Sequence, residues 1–166
     1  MNFIKYLDEN LEKIFVVILL GTASVIIGIQ VFMRYVLESS LSWSEEIARY
    51  MFVWLTYIGI SYGVKADRHI KVDAAMYLFP KKFRKYVSII GDILFFAFAA
   101  IIVVNSIGTS ASIFKSGQSS PAVGIPMGIL YLAPLFGFAM VCLRLVQSII
   151  RQLKSDDEES MKGDEI

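Results

Sequence analysis

The stretch Ile14-Phe15-Val16-Val17-Ile18-Leu19-Leu20-Gly21-Thr22-Ala23-Ser24-Val25-Ile26-Ile27-Gly28-Ile29-Gln30-Val31-Phe32-Met33 contains no charged residue. A helix crossing the hydrocarbon of a bilayer needs roughly 20 predominantly apolar residues, and a helix of that length rises about 30 Å. The stretch meets this requirement. Its N-terminal flank holds Asp8, Glu9 and Glu12 against Lys5 and Lys13, and no small-x-small site ends it. It therefore reads as a retained span rather than a cleaved leader.

Three more such runs follow: Ile47 to Val64, Tyr86 to Ile107 and Met127 to Ile150. The composition agrees, with 56% hydrophobic and 19% charged residues and a mean hydropathy of +0.61. Backbone polar groups find no water in hydrocarbon, so each run must be helical. The expected fold is an all-α integral membrane protein of four transmembrane helices over residues 1–154. The acidic stretch in residues 155–166, beginning Ser155-Asp156-Asp157-Glu158-Glu159, reads as a disordered tail. The net charge of +1 gives no support to nucleic-acid binding.

Basic residues set the orientation. With four spans, both termini and the middle loop share one side, which carries Lys5, Lys13, Lys65, Arg68, Lys71, Lys81, Lys82, Arg84, Lys85, Arg144, Arg151, Lys154 and Lys162. The other side carries Arg34, Arg49 and Lys115. Lysine and arginine concentrate on the cytoplasmic side, so the chain is N-in, C-in. The middle loop alternates basic and apolar residues through Lys65, Arg68, His69, Lys71, Lys81, Lys82, Arg84 and Lys85. That pattern fits an amphipathic segment in the cytoplasmic headgroup region, with Pro80 starting the next helix. The outer segment from Gly108 to Pro126, with Pro121 and Gly124, reads as an ordered turn.

The inventory for catalysis is thin. One histidine, His69, and one cysteine, Cys142, allow neither a bis-histidine haem nor a paired-thiol metal site. No enzyme activity and no cofactor are expected, and Cys142 reads as packing. Within the spans, Asp92 and Arg144 lie at similar depths from the cytoplasmic side by helical rise. They are expected to form an ion pair that locks the third and fourth helices, with Asp92 as a coupling acid the alternative. Gln30 and Asn105 are expected to hydrogen-bond neighbours. Gly59 and Gly63, and Ser24 with Gly28, have the spacing of close helix contacts.

The entry to the second span is the most distinctive stretch: Ser42-Trp43-Ser44-Glu45-Glu46-Ile47-Ala48-Arg49-Tyr50. Ser42 and Glu45 have capping-box spacing, and acids suit the positive end of the helix dipole. Arg49 lies one turn from Glu45 and Glu46, and Arg34 leaves the first span on the same face. Trp43 and Tyr50 suit the interface. Membrane anchoring accounts for this cluster; contact with a partner is the alternative.

Arg34-Tyr35, the Leu41–Tyr50 stretch with Trp54 and Gly59, His69-Ile70-Lys71-Val72-Asp73, Pro80, and Pro126-Met127 with Tyr131 occur in that order. In these residues the chain resembles the small membrane (Q) subunit of tripartite ATP-independent periplasmic (TRAP) transporters. The likeness runs from about residue 10 to 150. It implies a bacterial inner-membrane importer of an organic acid, such as a C4-dicarboxylate or an acidic sugar like sialic acid, commonly coupled to sodium. The implied partners are a large multi-span membrane subunit, a periplasmic substrate-binding protein and membrane lipids. The implied role is that of a scaffold. The residues agree in lacking the broken midplane helices and inverted repeats of a transport core. A self-sufficient oligomeric transporter or channel is the alternative from a different class.

Overall fold

The computed structural model describes the backbone of residues 3–66 and 81–163, and the side chains of residues 10–66 and 87–152. Four helices account for it: α1 (Phe3–Tyr35), α2 (Ser42–Lys65), α3 (Lys81–Ser116) and α4 (Gly128–Gly163). Three carry apolar stretches long enough to cross a membrane, Asn10–Tyr35, Val87–Ser116 and Gly128–Gln152. The second helix is less apolar because Arg49, Tyr50, Tyr57 and Tyr62 interrupt it. The fold is the expected four-helix membrane protein. The interhelical segment containing Arg68, His69 and Lys71 lies outside the described residues, as do the side chains of Lys81, Lys82, Arg84 and Lys85.

Two boundaries differ from the sequence expectation. The third helix continues past Ile107 to Ser116, because Gly108 interrupts neither its hydrogen bonding nor its apolar character. The fourth continues past residue 154 to Gly163. The intervening acidic run contains no proline or glycine before Gly163, so nothing in it breaks a helical backbone.

The helices do not close into a bundle. Among the described residues α1 packs on α2, α2 on α4 and α4 on α3, with no other helix pair in backbone proximity. The result is an open row, α1–α2–α4–α3, in which the last helix is inserted between the second and third. Its core follows from that order. Val64 of α2, Ala99 of α3, and Phe138, Val141 and Leu145 of α4 are buried together, and Cys142 packs against them. Phe138 is the wedge, with its ring 5.9 Å from Tyr57 on one side and 5.9 Å from Phe98 on the other. Most apolar side chains of α1, including Phe15, Val17, Val25 and Phe32, face outward, as lipid or a partner chain requires.

The glycines that set helix spacing are not the ones their sequence spacing suggests. A Cβ placed on Gly28, Gly59 or Gly63 would meet nothing within 4 Å. At Gly137 it would lie 2.6 Å from Cβ of Tyr57 and 2.8 Å from that residue's carbonyl oxygen. Here α4 rides directly on the backbone of α2. A backbone neighbour cannot swing aside, and overpacking of this kind costs about 1–3 kcal/mol. Gly137→Ala is therefore expected to lower the melting temperature of the purified chain measurably, and Gly63→Ala to leave it within error, in parallel detergent melts.

Candidate functional site

Polar side chains gather at both ends of α2. At the inner end, Glu12 of α1 is fully buried. Its Oε1 accepts a hydrogen bond from Nε of Arg144 on α4 at 2.6 Å, and its Oε2 accepts one from Nζ of Lys65 on α2 at 2.9 Å. Arg144 also donates to Oε1 of Gln147 at 2.8 Å. A carboxylate without water is tolerated only when paired and hydrogen-bonded. Glu12 meets that demand by joining helices α1, α2 and α4.

This arrangement corrects the expected Asp92–Arg144 ion pair. Asp92 instead accepts from Ser148 Oγ at 3.1 Å and Gln152 Nε2 at 2.8 Å. Both donors lie one to two turns closer to the cytoplasmic end of α4 than Arg144. The depth comparison failed because α4 extends well past Ile150, so Arg144 sits deeper than its distance from that boundary suggests. Lys65 is likewise withdrawn from the basic interfacial segment into the Glu12 cluster, its side chain 17% exposed.

The outer end is built around two adjacent acids. Neighbouring residues on a helix point about 100° apart, so Glu45 and Glu46 serve different neighbours. Glu45 faces α1: its Oε1 accepts from Gln30 Nε2 at 2.6 Å and lies 3.8 Å from Arg34. Glu46 faces the turn between α3 and α4. Its Oε2 accepts the backbone N–H groups of Ala122 at 2.8 Å and Val123 at 3.1 Å, and the Tyr50 hydroxyl lies 2.7 Å from Oε1.

That turn is well formed in its own right. Gly117 leaves α3 at φ +65° and Gly124 turns the chain at φ +76°, conformations that favour glycine. Between them Ser120 N donates to Ile125 O at 2.8 Å and Met127 N to Gln118 O at 2.9 Å. Glu46 fastens this small hairpin to the start of α2.

The expected cluster of Arg34, Trp43, Glu45, Glu46 and Arg49 is thus only partly joined. Arg34 and Glu45 meet; Glu46 turns away; Trp43 is exposed. Arg49 is exposed and forms no hydrogen bond or ion pair among the described residues, its nearest acids being engaged elsewhere. The capping box does not form either. Leu41 is the N-cap without a side-chain hydrogen bond, because the Glu45 carboxylate is drawn to Gln30 and Arg34 on α1. Asn105 bonds the carbonyl of Ile101 on its own helix rather than a neighbour.

Sequence reasoning passed over Glu12 and the hairpin contact of Glu46. The only signal for Glu12 was an acid within one turn of an uncharged span. Nothing local to Ala122 and Val123 announced a carboxylate partner, because their backbone N–H groups are the donors.

Burial pushes the Glu46 carboxyl up, but hydrogen bonds from Tyr50, Ala122, Ser120 and Val123 together outweigh it and hold the group below its ordinary 4.5. A depressed carboxylate stabilises the fold above the unfolded value and loses that contribution as pH falls through the folded one. Amide exchange at Ala122 and Val123, corrected for intrinsic rates, is expected to stay slow from neutrality to about pH 4.5 and to accelerate below it. Glu46→Gln is expected to remove the pH dependence. At the inner end, Glu12→Ala leaves Arg144 buried without this carboxylate. Losses of about 3 kcal/mol are usual for a broken buried pair, and a melt beside Asp92→Asn is expected to show the larger drop for Glu12→Ala.

The Tripartite ATP-independent periplasmic transporters, DctQ component, family matches residues 23–155. Among curated relatives, the isethionate TRAP transporter permease protein DctMQ of Oleidesulfovibrio alaskensis is 30% identical over 155 residues, 90% of this chain and 24% of that one. The C4-dicarboxylate TRAP transporter small permease protein DctQ of Vibrio cholerae is 26% identical over 98 residues, 59% of this chain and 42% of its own length. The sialic acid TRAP transporter permease protein SiaT of Haemophilus influenzae is 33% identical over 96 residues, 58% of this chain and 15% of that protein. The chain therefore spans less than half the length of each of these three relatives. With a family match running through all four helices, the chain belongs to the DctQ component family of the tripartite ATP-independent periplasmic transporters.

Proposed function

We propose that this chain is the small permease subunit of a TRAP-type secondary transporter that imports an organic acid, and that its role is to brace a larger membrane subunit. The observation that carries the reading is the open helix row. Among the described residues the four helices lie side by side rather than around a passage. They offer broad apolar faces, as a buttress needs, and no midplane site of broken helices. That the matching region is 24% of DctMQ and 15% of SiaT supports a division of labour in which the remaining mass moves the substrate.

The relatives' names support a small organic acid as cargo, a C4-dicarboxylate or an acidic sugar such as sialic acid; sodium as the coupling ion is our own proposal, in line with the family resemblance. Asp92 does not recommend itself as a coupling acid, because its Oδ2 is held by Ser148 and Gln152 of its own chain. The outer rim around Trp43 and Glu45, beside the Glu46-held hairpin, is the surface we assign to a periplasmic binding protein. The basic segment from Lys65 to Lys85, less Lys65 itself, which Glu12 holds, would grip the anionic cytoplasmic leaflet.

Reconstitution tests this reading. In liposomes with an inward sodium gradient, binding protein and candidate labelled organic acids outside, the chain alone is expected to give no uptake. Adding the large subunit is expected to give uptake that falls several-fold with Trp43→Ala and Glu45→Ala together. Uptake by the chain alone would sink the scaffold role. Unchanged uptake in the double variant would sink only the docking surface.

A further inference from the structure

The groove between the outer halves of α1 and α2 has a volume of about 520 Å³ and is lined by Ala23, Ile27 and Val31 from one helix and Ala48, Phe52 and Val53 from the other. Ala23 and Ala48 are buried where the two helices pack, and the groove opens from there toward the outer face. From Ala23 to Arg34 the helical rise is about 16 Å. One leaflet of hydrocarbon is about 15 Å deep. The groove thus runs from mid-bilayer to the headgroup level of a single leaflet.

Its mouth is charged in an unusual way. The outer side of this chain has few basic residues, Arg34, Arg49 and Lys115, as expected where basic residues gather inside. Two of them, Arg34 and Arg49, line this one groove. The acid beside them, Glu45, takes its short hydrogen bond from Gln30 at 2.6 Å and stands 3.8 Å from Arg34. Arg49 has no ion-pair partner among the described residues, yet lies one turn deeper than Glu45. An unpaired guanidinium near hydrocarbon is costly, and a planar guanidinium suits a phosphate, which it can bind through paired N–H donors. The bottom of the groove is apolar and its top carries two cations against one anion.

We propose that this groove binds a glycerophospholipid of the outer leaflet with an anionic headgroup, its phosphate between Arg34 and Arg49 and an acyl chain along Val31, Ile27 and Ala23 toward mid-bilayer. A seated lipid fills the outward-opening space between two helices that pack at Ala23 and Ala48 and are joined above by the Gln30–Glu45 hydrogen bond. It neutralises Arg49, which has no ion-pair partner among the described residues. The inference is independent of what the transporter carries; it needs only the membrane position of α1 and α2.

The full chain, purified in mild detergent, is to be titrated with phosphatidylglycerol and with phosphatidylcholine of the same acyl chains, with lipid adducts counted by native mass spectrometry. One phosphatidylglycerol per chain is expected to persist where phosphatidylcholine is lost. Arg34→Gln with Arg49→Gln is expected to weaken its retention by about tenfold or more, and Arg49→Lys to weaken it less. Val31→Trp, at an outward-facing position that does not disturb the core, is expected to displace both lipids. Equal retention of the two lipids, or full retention by the double glutamine variant, would overturn the proposal. Competition by millimolar inorganic phosphate alone would also overturn it, since the site would then need no acyl chain. In native membranes the Val31→Cys variant is expected to react at that position with a lipid-borne maleimide; shielding of the position by another protein chain would overturn the proposal and place a partner helix in the groove instead.

Discussion

Glu12 has no exposed surface, and a carboxylate in that position cannot be left alone. Removing it from water is offset only where cations and donors meet it directly. In this chain they come from two other helices, Arg144 on α4 and Lys65 on α2. The requirement fixes more than a local geometry. In the open row, α2 is the one helix whose backbone runs beside α1 among the described residues, so without Glu12 the first helix would be held to the rest by the Glu45 contacts at its outer end and by apolar contact that lipid can supply equally well. Helix association in a bilayer gains little from hydrophobicity, because lipid tails are as apolar as leucine. The ionic cluster is what makes leaving the row costly for the inner half of α1.

The outer face solves the same problem with neutral donors. Glu46 is anchored by two backbone N–H groups and a tyrosine hydroxyl. In doing so it fixes the α3–α4 hairpin above α2, although α2 and α3 are not neighbours. Clamps at both ends of α2 thus tie together helices that the row order keeps apart. With Gly137 drawn against Tyr57 in between, α2 and α4 form the stiff centre, and α1 and α3 form the edges.

How legible this was depends on the range of each interaction. The spans and their sidedness could be read directly, since hydrocarbon thickness and the placement of lysine and arginine act on the sequence one segment at a time. The special status of the Trp43–Arg49 stretch was also visible, because its charges sit in a short run. Its wiring was not. Whether Glu46 meets Arg49 or two backbone amides beyond residue 120 is decided by how the α3–α4 hairpin lands, and no local pattern records that. Asp92 and Arg144 show the same limit. Their distances from span ends were reasonable, but the true end of α4 lies beyond its apolar stretch, and an error of one or two turns sufficed to exchange Asp92 for Glu12.

The open row also bears on how such a subunit is completed. A closed bundle hides its best-packed surfaces inside; a row displays both faces, and its two inner helices, α2 and α4, are better covered than its edges. Gly59 and Gly63, whose Cβ positions meet nothing, lie on α2, so even the stiff centre keeps a small-residue stretch free of contact within the chain. The exposed phenylalanines and branched side chains of α1 and α3 surround that centre on both edges. An isolated transporter built this way would lack walls for a pathway. A brace built this way has what it needs: a rigid middle clamped at each membrane face, and uncommitted apolar surface to either side for a larger partner or for lipid.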